Sequence, residues 1–256
     1  MAAKIVQRFL SNNDCYKAGK LLRVKGLMLH SVGCPQPSAE VFLSSWNQPG
    51  VKACVHGFID ANSGDVYQTL PWNYCGWHGG GTSNNSHIGV EMCEPNSIVY
   101  TRNALFVDKD PEQTKATVFR TYQSAVSLFS MLCRKYQLDP RQDGVVISHR
   151  EGYRRGIATN HGDPEHLWHS FGLTMDGFRS DVLEAMGEAG KLTDQLSFQI
   201  RVTVNSLNIR TGPGISYPIS GQIKDHGIYT IMQEAAGWGK LKSGMGWISL
   251  SCTEKI

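Results

Sequence analysis

Three side chains of types that bind metal ions lie at the ends of two short apolar runs and of a loop. His30 closes the apolar run 26–30, His149 follows the apolar run 145–148, and Asp163 ends a loop punctuated by glycine. A hydrolytic zinc site takes three protein ligands, with histidine nitrogen and carboxylate oxygen both acceptable, and keeps a fourth position for water. We therefore predict that His30, His149 and Asp163 hold a catalytic zinc ion, Zn2+.

Hydrolysis by zinc-activated water also needs a base and a donor to the oxyanion. Glu91 lies within the strand-like run 88–93, where burial would raise its pKa into a useful range. His161, two residues before Asp163, could donate to the oxyanion if it is protonated. Each residue taken alone also fits a plainer role: Glu91 as a carboxylate paired with a cation, and Asp163 as part of a turn before proline.

The elements that must position these residues follow from hydrophobic periodicity. Asp110, Pro111 and Gln113 begin a long helix with a capping-box pattern, and Thr174 can cap the last helix of this region. Strands are predicted at 26–30, 53–59, 65–70, 88–93 and 145–148. This order predicts an α/β domain over residues 1–186, with a mixed central β-sheet flanked by helices, and residues 1–25 as a surface arm.

A different composition follows residue 186. Residues 187–197 are small and polar and are predicted to be a linker. Residues 198–256 contain only short strands separated by Gly and Pro turns, which predicts a small all-β, SH3-like barrel as a second domain.

Composition and charge exclude several classes of protein. A net charge of +3 and a pI near 8.4 suit an anionic polymer such as a cell wall and are too weak to indicate nucleic acid. No run is apolar enough for a membrane span, so no membrane partner is expected. The first residues lack the pattern of a signal peptide, which predicts synthesis in the cytoplasm. The seven scattered cysteines are expected to be reduced and mostly buried, and the chain is taken to be a monomer.

The segments around these residues resemble the zinc-dependent N-acetylmuramoyl-L-alanine amidases, the type 2 amidases related to bacteriophage T7 lysozyme and the peptidoglycan recognition proteins. The resemblance covers roughly residues 22–185. It rests on His30 at a strand end, Trp-His-Gly-Gly from Trp77, Ser-His-Ile-Gly-Val-Glu ending at Glu91, Ser-His-Arg-Glu-Gly-Tyr around His149, and His-Gly-Asp-Pro around Asp163.

The resemblance implies zinc on the same three residues, Glu91 as the catalytic carboxylate, and a peptidoglycan groove lined by the loop that contains Trp77, His78 and Asn85. A loop this long inside a compact domain is usually functional or mobile, although its residues could also be ordinary loop and core residues. Many members carry Lys or Thr where this chain has His161, and often Cys where it has Asp163. A histidine is charged only below its pKa, so the oxyanion role of His161 depends on its protonation.

The C-terminal segments 206–218 and 238–248 look like a bacterial SH3 (SH3b) domain. This resemblance implies binding to the cell wall, which would keep the enzyme on its polymer. An amidase joined to an SH3b domain resembles an endolysin of a phage or prophage of a Gram-positive host. Such an enzyme cuts the amide between N-acetylmuramic acid and L-alanine and reaches the wall after release from the cytoplasm.

Two alternatives remain open at this point. The same fold could only bind peptidoglycan, without catalysis. The chain could also be a cysteine peptidase of cell-wall peptides, a class that needs a reactive Cys at a helix N-terminus with a His partner, for which Cys34 is the candidate.

Overall fold

The computed structural model describes residues 3–215, 217–235 and 237–256, without the side chains of residues 103 and 188–196. Within it the chain forms two compact units, Met1–Met186 and Gly187–Ile256. Among the described residues, no helix combines the length and apolar character that crossing a membrane requires.

A six-stranded sheet forms the centre of the first unit, in the order β1-β4-β3-β5-β2-β8. The pair β3–β4 is antiparallel and the other neighbours are parallel, so the sheet is mixed. The strands β6 and β7 form a separate hairpin. The strand bounds are β1 Ile5–Gln7, β2 Gly26–Ser31, β3 Gly57–Ile59, β4 Val66–Gln68, β5 His87–Met92, β6 Ile98–Tyr100, β7 Phe106–Asp108 and β8 Val146–Ser148.

Helices cover both faces of this sheet. On one face, Leu27 and Leu29 of β2 belong to the same buried cluster as Phe129 and Phe178, which come from the two longest helices. On the other face, Phe58 of β3 packs in a second cluster that draws on the two N-terminal helices. The helix bounds are α1 Asp14–Ala18, α2 Ala39–Trp46, α3 Pro111–Tyr136, α4 His149–Arg154, α5 Glu165–Trp168 and α6 Met175–Leu196. The predicted α/β class with a mixed, helix-flanked sheet is confirmed for this unit.

The start of α3 agrees with its sequence signals. The Asp110 carboxylate accepts the backbone N–H of Gln113 at 3.1 Å, and Pro111 occupies the first turn. One expectation differs from the structure: residues 5–7 of the predicted surface arm form the edge strand β1. The helix α6 continues to Leu196, through most of the segment predicted as the linker 187–197, and the boundary between the two units falls at the start of this segment. Residues such as Glu and Lys are good helix formers, so a polar segment is compatible with a helix.

The second unit contains a seven-stranded antiparallel sheet, in the order β11-β10-β14-β13-β12-β9-β15. Its core is a separate apolar cluster that includes Ile200, Ile209, Ile231 and Ile248. The strand bounds are β9 Phe198–Val202, β10 Leu207–Arg210, β11 Ile219–Ile223, β12 Ile228–Ala235, β13 Trp238–Leu241, β14 Trp247–Ser249 and β15 Thr253–Lys255. The antiparallel strands follow the sequence pattern, and closure into an SH3-like barrel stays a prediction.

Candidate metal centre

Three adjacent parallel strands bring the candidate residues to one edge of the sheet. In the register of β2 and β5, His30 lies directly opposite Glu91, and β8 runs along the other side of β2. Neighbouring strands are about 4.8 Å apart, so residues that end neighbouring parallel strands lie side by side. The carboxyl edge of such a sheet is where open α/β folds bind their ligands.

A capping box places His149 at this edge. The Ser148 hydroxyl accepts the backbone N–H of Glu151 at 3.0 Å, and the Glu151 carboxylate accepts the N–H of Ser148 at 3.1 Å. The Arg179 guanidinium donates to both oxygens of Glu151, at 2.9 and 3.1 Å. His149 is therefore the first residue of a helix whose start is stabilised by the capping box and by the contact of Arg179 with Glu151. The Ser-x-x-Glu spacing of Ser148 and Glu151 is the sequence signal for the start of α4.

Asp163 is held against both neighbouring elements. Its carboxylate Oδ2 accepts the backbone N–H of Ser31 at 3.3 Å, and its carbonyl oxygen accepts the N–H of Arg150 at 3.3 Å. Burial raises the pKa of Asp163, but hydrogen bonds from His149 and His30 outweigh it, so the pKa falls below its ordinary value. The side chain is therefore a negatively charged carboxylate that lies against the two histidines and could bind a metal ion through its oxygens.

The three side chains converge on one point. Nδ1 of His30 lies 3.0 Å from Nδ1 of His149 and 3.3 Å from Oδ2 of Asp163, and Nδ1 of His149 lies 3.6 Å from Oδ1 of Asp163. Zinc with bonds of about 2.0–2.2 Å in a tetrahedral arrangement sets its ligand atoms about 3.3 Å apart. All three residues are buried, with 1%, 5% and 9% of their surface exposed. This donor set, two imidazole nitrogens and a carboxylate, fits a zinc ion.

Glu91 lies beside this group with a free oxygen. Its Oε2 is buried and has no hydrogen-bond partner among the described residues. Burial, followed by the negative charges of Asp163 and Glu94, raises the pKa of Glu91 well above its ordinary value. A buried carboxylate oxygen without a partner is costly unless it is used in function. An unpartnered oxygen and a raised pKa are the properties that a general base near a metal ion requires.

Glu94, for which the sequence pattern predicts no functional role, contacts three other segments of the chain next to this site. Its carboxylate accepts the N–H of Gly33 at 3.1 Å and the hydroxyl of Tyr100 at 2.7 Å, and Nε2 of His166 lies 3.5 Å from it. The tyrosine and histidine come from β6 and α5. Nothing in a single sequence shows that these residues meet, because their contacts depend on the tertiary fold.

His161 lies next to His149. Its Nδ1 is 3.3 Å from Nε2 of His149 and 3.1 Å from the hydroxyl of Thr159, and the residue is exposed. The ring thus lies at the surface beside the proposed ligand His149, a position from which it could donate to a substrate oxygen.

The long loop supplies Trp77, His78 and Asn85 in different environments. The Trp77 ring is half-buried with Nζ of Lys52 5.8 Å from its centroid, and Asn85 is exposed and accepts a hydrogen bond from Lys20 at 2.8 Å. The His78 ring instead turns inward, and both of its nitrogens are engaged within the chain. Trp77 and Asn85 are therefore available at the surface, whereas the ring nitrogens of His78 are not.

Cys34 does not have the environment of a nucleophile. Burial raises the pKa of its thiol, and the charges of Glu94 and Glu91 raise it further. A cysteine peptidase needs the opposite shift, because the thiolate is the nucleophile. All seven cysteines are free, five of them buried.

An α/β fold in which two histidines and an aspartate could hold a metal ion, beside a carboxylate with an unpartnered oxygen, is typical of hydrolases. Comparison with known families agrees with this class. Residues 20–166, more than half of the chain, match the model of the family Amidase_2, N-acetylmuramoyl-L-alanine amidase. The chain belongs to this amidase family, whose substrate is peptidoglycan. No curated protein sequence matches the chain.

Solved structures show the same fold. The Staphylococcus aureus hydrolase AmiA, crystallised with its ligand, matches with 21% identity and a TM-score of 0.57, over 75% of this chain and 87% of that one. The solution structure of the PlyG catalytic domain matches with 16% identity and a TM-score of 0.51, over 72% of this chain and 95% of that one. At these identities the similarity concerns the fold.

Proposed function

We propose that the protein is a zinc-dependent peptidoglycan hydrolase that cuts the amide bond between N-acetylmuramic acid and L-alanine. The observation that carries this proposal is the convergence of His30, His149 and Asp163 next to the unpartnered Oε2 of Glu91. Family membership supports the bond that is cut, and the donor set supports the metal.

The residues of this chain then have separate roles. When bound, zinc supplies Lewis-acid polarisation of a carbonyl and lowers the pKa of water. Glu91 takes the proton from the attacking water and returns it to the amine that leaves, as a residue with a raised pKa can do near neutral pH. His161 donates to the developing oxyanion when it is protonated. Trp77 and Asn85 contact the sugar or peptide on either side of the scissile bond.

Digestion of purified cell walls tests the reaction. We expect new N-terminal alanine with no new reducing sugar ends, and we expect 1,10-phenanthroline to abolish this release and added zinc to restore it. The non-chelating 1,7-phenanthroline is the matched control and should leave activity unchanged. Release of reducing ends or of other N-terminal residues, or digestion that survives chelation, contradicts the proposal, as does wall binding without any release.

The second unit is proposed to bind the cell wall as an SH3b-type domain. The full chain should then sediment with purified walls, and a chain that ends at residue 197 should sediment less, because it retains the core of the first unit but lacks the antiparallel sheet. Effective concentration at the polymer would fall with the loss of the second contact. Equal sedimentation of both chains would show that this unit does not contribute.

The proposed setting is that of a phage endolysin: synthesis in the cytoplasm and action on a Gram-positive wall after release. Co-expression with a protein that permeabilises the membrane should lyse the cells, whereas expression alone should not. Intact cells under both conditions would argue against this setting and leave the amidase reaction to be judged by the digestion assay.

A further inference from the structure

A row of three hydrogen-bonding groups leads from the interior to the metal centre. Nε2 of His78 lies 3.0 Å from the carbonyl oxygen of His87, and Nδ1 of His78 lies 2.9 Å from Nε2 of His30. The other nitrogen of His30, Nδ1, faces His149 and Asp163. His78 therefore stands between a backbone carbonyl and a proposed zinc ligand.

The carbonyl oxygen of His87 fixes the positions of the protons in this row, because a carbonyl oxygen can only accept a hydrogen bond. Because the His87 carbonyl accepts, Nε2 of His78 must carry a proton and donate it. A neutral imidazole carries a proton on only one of its ring nitrogens, so Nδ1 of the neutral His78 ring is an acceptor. His30 must then donate from Nε2, which leaves the Nδ1 lone pair directed at the metal centre.

The surroundings of His78 fix the orientation of its ring. A Cβ placed on Gly89 would lie 2.3–2.6 Å from atoms of the His78 ring, and one on Gly76 would lie 2.9 Å from it. The Asn84 side-chain oxygen accepts the backbone N–H groups of His78 and Gly79, at 3.0 and 2.8 Å. Two glycines and an asparagine thus hold an imidazole in the one position that joins the carbonyl to His30.

We propose that His78 is a positioning residue that accepts the Nε2–H of His30 and thereby fixes the tautomer and ring orientation in which His30 binds zinc through Nδ1. The proposal rests on the proposed zinc-dependent function and assigns His78 to the metal centre instead of the substrate groove. Partners that hold the second nitrogen of a ligand histidine typically change metal affinity about 10–100-fold when removed.

Three variants of the full chain separate positioning from packing. His78→Leu fills the space without an acceptor, and His78→Gln restores one acceptor and one donor through its amide. His56→Leu is the matched control, because His56 is a buried histidine that is hydrogen-bonded through both nitrogens to the backbone of Tyr74 and Gly89. Among the described residues, it makes no hydrogen bond to a proposed ligand.

Two measurements apply to each variant. Competition with a chromophoric chelator should show zinc affinity about 10–100-fold weaker in His78→Leu, largely restored in His78→Gln, and unchanged in His56→Leu. In the zinc-loaded wild type, the Nε2–H proton of His30 should resonate far downfield in ¹H–¹⁵N NMR and exchange slowly with water, because it is hydrogen-bonded to His78, and His78→Leu should lose both properties.

The possible results distinguish a failure of the proposed function from a failure of the proposed role of His78. A wild-type chain that binds no zinc overturns the proposed function and this inference with it. A wild-type chain that binds zinc, with His78→Leu binding equally well, overturns this inference alone. If His78→Leu does not fold, the wild-type NMR spectrum still decides, because a His30 Nε2–H signal that is neither shifted downfield nor protected from exchange excludes the proposed hydrogen bond.

Discussion

Replacing Glu91 by Gln is expected to lower the rate of cell-wall digestion by about 10²–10⁴-fold, the contribution usual for a general acid or base. Glutamine keeps the shape of the side chain but cannot accept a proton from water. His30 lies opposite Glu91 in the strand register, so the carboxylate is beside the metal centre without belonging to the group of three ligand atoms. Zinc content, measured by elemental analysis, should therefore stay near that of the wild type.

Glu94→Gln is the control for this experiment. Glu94 is also a buried carboxylate on the same segment, but its oxygens accept hydrogen bonds from Gly33 and Tyr100, so its role in the chain is structural. This variant should retain most of the activity and lose stability, by about 1–3 kcal/mol for a disturbed buried hydrogen bond. Digestion by Glu91→Gln at the wild-type rate, or a larger loss in Glu94→Gln, would remove Glu91 from the mechanism.

The sequence predicted the strand ends at which two of the proposed ligands, His30 and His149, lie. A short apolar run that stops at a polar residue is a local signal, and His30 and His149 both follow such runs. Parallel pairing then brought together residues 119 positions apart, which periodicity cannot show but the order of strands and helices implies. The mixed, helix-flanked sheet was predicted because several local patterns agreed, whereas the amidase family was predicted from the resemblance of the motifs around these residues to a known family.

Other features depended on contacts that a single sequence does not contain. The strand β1 has three residues and belongs to the sheet through pairing with β4, not through its own apolar pattern. His78 occurs in a loop rich in polar residues and glycine, which suggested a surface position. Its inward position results from the close approach of Gly89 and Gly76, and the glycines gave the available clue, because glycine permits such an approach.

The ligand set itself can be tested at Asp163, where the family often has cysteine. Removal of a residue that only holds a ligand in place typically weakens metal affinity about 10–100-fold. Asp163→Asn is expected to weaken zinc affinity more than this, because it replaces a direct anionic ligand by a neutral amide. Asp163→Cys should retain zinc, since thiolate is a common zinc ligand. Elemental analysis and chelator competition measure both variants, and cell-wall digestion should fall with zinc content in Asp163→Asn.

The pair of variants separates metal binding from the structural role of this side chain. Asp163 also accepts the backbone N–H of Ser31, and the amide oxygen of asparagine can still do so, whereas cysteine is a poorer acceptor. A merely structural aspartate would therefore be replaced better by asparagine than by cysteine. A metal ligand gives the reverse order, because the charge and the donor atom decide the affinity and the hydrogen bond is secondary. Zinc retained by Asp163→Asn and lost by Asp163→Cys would leave His30 and His149 without the proposed third ligand.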